Sequence, residues 1–120
     1  MLHDHCLTEL RTSWFPQTTD SGLLRVLELL QEGSPLLIRG AFTSAIPQGC
    51  LASHIAWHHP QTQHLQEDAG IIWLSRCAGL NPATSAVLDI WDRSSEPESD
   101  ISEFFCHAFA MELARRQTLE

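Results

Sequence analysis

The chain has 120 residues, 43% of them apolar, enough to bury a core and to read as one folded domain over 1–120 rather than a disordered segment. Fifteen acidic residues against seven basic ones give a formal charge of −8, which repels phosphate backbones and anionic lipid at long range. No apolar run approaches the roughly 18 residues of a membrane helix, and the start reads as having no secretory leader.

These features point to a cytoplasmic protein, with no membrane partner and nucleic acid disfavoured. The four cysteines Cys6, Cys50, Cys77 and Cys106 are widely spaced and expected to stay reduced there. All seven basic residues are arginines, and tyrosine is absent.

Along the chain, Leu7, Leu10 and Trp14 share a helical face, so 3–14 is expected to be a short helix ended by Phe15-Pro16. Asp20 is the expected N-cap of a helix over 21–32, with Leu23, Val26, Leu27 and Leu30 on its buried side and Gly33 at its end. Leu36 to Arg39 is at most one short extended segment. It must pair with residues near Phe42 or with another chain, or be no strand at all.

Pro47-Gln48-Gly49 leads into a short helix from Cys50 to about His58. Pro60 is placed at the first turn of a helix reaching Ala78, with Leu65, Ala69, Ile72 and Arg76 along one side. Ile71, Trp73 and Leu74 make its second half apolar nearly all round, as a central helix would be.

Asn81-Pro82 restarts the chain as N-cap and first helical residue, and Ala83, Ala86, Val87, Ile90 and Trp91 give the core face of a helix to Arg93. Residues 94–99 form a polar linker. Asp100 with Glu103 is a capping-box pattern for a last helix buried through Phe104, Phe105, Ala108 and Phe109. The expected fold is all-α, a bundle or orthogonal array of five or six helices.

Two segments could carry chemistry. Cys50, His54 and His58 fall at i, i+4 and i+8, close to one line along a helix, and His64 follows. A thiolate and imidazoles on one face suit zinc or a similar transition metal, although no standard zinc spacing is present. Cys50 also sits where a helix N-terminus would activate a thiol, one turn from His54, but the sequence offers no third group to orient that base.

The second segment is Ile71 to Asp89. Its turn, Ala78-Gly79-Leu80-Asn81-Pro82-Ala83-Thr84, is similar to that of the bacterial helix-turn-helix, notably in LacI-like repressors. Ser75, Gly79, Leu80, Asn81 and Leu88 carry the resemblance, which covers about twenty residues. It implies base contacts from Asn81, Thr84 and Ser85. It departs at Ser85, where an apolar residue belongs, and Asp89 and Asp92 would repel phosphates.

No constellation reads as an active site, and no cofactor is implied apart from zinc in the metal alternative. The expectation that best fits the residues is a non-catalytic binding or regulatory module acting through protein–protein contacts. Four tryptophans and five phenylalanines would supply exposed interface anchors. A homodimer would satisfy the lone extended segment. Zinc-like metal binding and helix-turn-helix DNA binding are the alternatives.

Overall fold

Six α-helices form among the described residues, and each follows from local signals in the sequence or from a partner brought up by the fold. The computed structural model describes residues 2–44, 46–62 and 67–119. His64 and Leu65 lie outside them.

Helix α1, Leu2–Glu9, runs into a π-helical turn at Leu10–Trp14 and a 3₁₀ turn at Phe15–Gln17. The wider turn bonds the Phe15 amide to the Leu10 carbonyl and keeps both Leu10 and Trp14 buried.

Helix α2 spans Asp20–Glu32. Its N-cap is Thr19 rather than Asp20: the Thr19 hydroxyl accepts from the Gly22 amide at 3.0 Å, and Asp20 begins the first turn. Gly33 ends it at φ +62°, and Ser34 donates back to the Leu29 carbonyl at 3.1 Å, closing a Schellman-type cap.

Helix α3, Leu51–Trp57, starts after Cys50 and ends at His58. No helix begins at Pro60. The chain turns through 60–62, and the helical segment is Ala69–Ile72 (α4), continued by a π turn at Trp73–Cys77. The expected all-round burial is also only partial, because Trp73 and Leu74 are buried while Ile71 is exposed.

Helix α5, Ala86–Arg93, starts four residues later than Asn81-Pro82 suggests, with Ser85 as its cap. Helix α6, Glu98–Thr118, follows Pro97 directly, so the linker is shorter than expected. Asp100 lies inside its first turn and no side chain caps it.

The extended segment pairs within the chain. Ile38 donates to the Gly49 carbonyl at 3.0 Å and Gly49 to the Leu36 carbonyl at 2.9 Å, while Cys50 donates to Phe42 at 2.8 Å. These contacts are isolated bridges centred on Gly49. With its backbone satisfied in this way, the segment gives no argument for a second chain.

One buried cluster takes side chains from all six helices. Helix α2 lies against α6 and α3, α3 against α4, and α1 against α5. The α3–α4 contact is made of small residues: a Cβ on Gly70 would meet the Ser53 backbone nitrogen at 2.8 Å. Trp14 and Trp73, one from each π turn, pack edge to face at 5.3 Å in the centre.

None of the four tryptophans and five phenylalanines is exposed. Trp14, Trp73, Phe105 and Phe109 are fully buried, and Trp91 anchors its Nε1 on the Ile38 carbonyl at 2.9 Å. The aromatic richness builds the core, so the expectation of exposed aromatic anchors is overturned.

Candidate functional site

The residues of the 50–64 segment do not converge on one point. Cys50 is the N-cap of α3 and wholly buried, with Sγ 3.9 Å from the Ser53 hydroxyl. Burial pushes its thiol up to about 11, away from the activated thiolate that a helix N-terminus would favour.

His54 is buried with its Nε2 2.8 Å from the Leu36 carbonyl, and a carbonyl can only accept, so Nε2 donates. The ring stands edge-on to Trp57, and burial lowers its pKa. His58 terminates the helix at φ −105° and is exposed, so it leaves the line that an uninterrupted helix would draw. His64 lies outside the described residues. Among the described residues, no group of three or more histidines, cysteines or acidic residues is gathered as a metal would need.

The 79–85 turn is fixed from several sides. The Asn81 side chain accepts from the Ala83 amide at 2.9 Å, and Arg93 donates to the Pro82 and Ala83 carbonyls at 3.1 and 3.3 Å. Asn81 and Thr84 are exposed, whereas Ser85 is buried, donating to Glu9 and accepting from the Leu88 amide. The Glu9 carboxylate also accepts from the Ala86 amide at 2.9 Å and the Val87 amide at 3.2 Å. Helix α1 therefore covers the start of α5, the end that a recognition helix presents to bases.

A different site lies where the two ends of the chain meet. Between the α1–π segment and the second half of α6 runs an open groove of about 840 Å³. Buried Phe15 and Ala108 form its floor, and Leu7, Pro16 and Met111 extend the apolar surface outward. Met111 is 58% exposed, one of the few large apolar side chains at the surface.

The base of the groove is held by a charge cluster. Buried Glu112 accepts from Arg115 Nε and Nη2 and from Arg116 Nε, each at 2.8 Å. Arg115 first, then Arg116, holds this carboxyl below the usual range. Arg116 continues across to the turn after α1, donating to the Phe15 carbonyl at 2.6 Å, the Thr18 carbonyl at 2.9 Å and Asp20 at 2.8 Å. It thereby ties α6 to that turn and fixes the width of the groove.

Arg116 spends four of its five N–H groups on these bonds, but the rim is less engaged. Arg115 is 58% exposed and keeps Nη1 free of any described bond. Arg11, exposed on the opposite wall, makes no hydrogen bond or ion pair among the described residues. His107 also lines the groove and is exposed.

Sequence reasoning missed this groove because its walls are about a hundred residues apart in the chain. The available signal was Met111 with Arg115-Arg116 at the end of a core-forming helix, opposite an arginine in the first one. Comparison with family models, with curated proteins and with solved structures found no match for the chain.

Proposed function

We propose that the chain is a small non-catalytic binding and regulatory module acting through protein–protein contacts, with the groove between the α1–π segment and α6 as its contact face. The observation that carries this reading is Arg11, an exposed guanidinium beside an apolar trough and without a partner among the described residues. The residues that look most reactive in the sequence are absorbed by the fold. Cys50 and His54 are buried, and Glu9 and Ser85 cap α5.

Open apolar surface edged by charge is the usual anatomy of a transient protein contact, in which a few anchors supply most of the affinity. Methionine at the rim suits this role because its flexible thioether repacks around different side chains.

The test is a selection from a random peptide library against the whole chain. Peptides that bind the chain and lose binding to an Arg11→Glu, Met111→Asp variant support the groove. Both substituted side chains are exposed, so the variant is expected to keep its fold. Enriched peptides that bind chain and variant equally would contradict it.

A further inference from the structure

We infer that the groove takes an acidic, amphipathic helical segment of a partner protein, a conclusion that rests on the docking reading above and adds the chemistry of the occupant. Apolar side chains of the segment would fill the trough over Phe15, Ala108 and Met111. Its carboxylates would meet Arg11 and Arg115.

The first support is charge. The chain carries −8, and between Glu67 and Glu103 eight acidic residues face only Arg76 and Arg93. In the groove the balance reverses, with three arginines against Glu112 in the lining and Asp20 beside it on Arg116. A basic partner would be drawn to the acidic half of the chain. An acidic segment is repelled by most of this surface and attracted here, which sets its site and orientation at once.

The second support is the state of the donors. Among the described residues Arg11 spends none of its five N–H groups, and Arg115 keeps those on Nη1. A guanidinium fork matches a carboxylate in two parallel bonds, and Glu112 already takes that pairing from Arg115. An incoming carboxylate finds the same chemistry one step further out.

The third support is the openness of the trough. Sites for small molecules usually bury about 70–90% of the ligand. Here Met111, Pro16 and both arginines stand open to solvent along the edges, so an acyl chain or a drug-sized ligand would stay half in water. A helix laid between the α1–π segment and α6 delivers apolar side chains at i, i+3/i+4 and i+7 into the floor. Its backbone hydrogen bonds are satisfied internally, so none needs an acceptor from the groove.

The experiment uses a fluorescein-labelled peptide of about five helical turns, with leucine and phenylalanine on one stripe and glutamates flanking it, and its lysine-for-glutamate counterpart. Fluorescence anisotropy with the whole chain should show binding of the glutamate peptide, absent for the lysine one and weakening as salt is raised. Arg11→Ala should weaken it about threefold and Arg11→Glu about tenfold.

The inference is overturned by no binding of the glutamate peptide, equal or tighter binding of the lysine peptide, indifference to both Arg11 variants, or displacement of the peptide by stoichiometric dodecanoate. Light scattering that finds a dimer dissolved by Arg11→Glu would make a second copy the occupant instead. If library peptides depend on the groove but prove neutral or basic, the docking reading stands and the acidic occupant falls.

Discussion

Glu9 and Ser85, seventy-six residues apart, form one cap: the Ser85 hydroxyl donates to Glu9 Oε2 while accepting from the Leu88 amide at 3.2 Å. The same carboxylate takes the amides of Ala86 and Val87 and the indole Nε1 of Trp14. A negative charge at the first turn of α5 also favours the helix dipole. Glu9→Ala would strand a buried hydroxyl and two helix amides, at a cost of about 2–4 kcal/mol. Urea unfolding should show that loss as a lower midpoint with unchanged slope, and Glu9→Gln, which keeps one acceptor, should lose less.

Gly70 lies against Ser53 where α4 crosses α3. A Cβ there would come within 2.7 Å of the Ser53 hydroxyl and 3.0 Å of its Cα. The obstacle includes backbone, so Gly70→Ala must push the helices apart and should cost about 2–3 kcal/mol. Gly33→Ala meets nothing within 4 Å and pays only for its positive φ, about 1 kcal/mol. Thermal unfolding of the pair should rank them in that order.

Acid should destabilise the chain in two stages. His54 is held neutral by burial, while the unfolded chain takes up a proton near 6.5, so stability is lost as pH falls through that value. Glu112 is kept ionised by Arg115 and Arg116, while the unfolded carboxyl protonates near 4.5, so a second loss follows below it. Unfolding followed against pH should show both stages. His54→Gln, which can still donate to Leu36, should flatten only the upper one.

The thiols set the alkaline limit. Burial pushes Cys6 up to about 12 and Cys50 up to about 11, against 9.0 for a free thiol. The unfolded chain ionises first, so stability falls as pH rises from 9.0 toward those values. At neutral pH a thiol reagent should modify half-buried Cys77 and Cys106 well before Cys6 and Cys50, which should react only on unfolding.

Much of this fold was legible in the sequence wherever a signal was local. The stripe Leu23, Val26, Leu27 and Leu30 with Gly33 marks α2, and Val87, Ile90 and Trp91 mark the core face of α5. What failed depended on distant partners. Asn81-Pro82 has the local form of a helix start, but a carboxylate from α1 caps Ser85 instead. The extended segment looked unpaired because Gly49, its partner, stands in what reads as a turn.

The site was illegible for the same reason. Cys50 and His54 stand close together in the sequence as reactive residue types, yet the fold spends both inside the protein. Arg11 and Arg115 look like ordinary surface charges until α1 and α6 are laid side by side.

The measurement that bears most directly on the central claim is a ¹H–¹⁵N shift map of the whole chain titrated with the glutamate peptide. The docking account predicts that the amides that move cluster in Leu7–Phe15 and His107–Arg116, with those of α3 and of the 79–85 turn unchanged. Shifts centred instead on Cys50–His58 or on Asn81–Ser85, with the groove amides still, would contradict it.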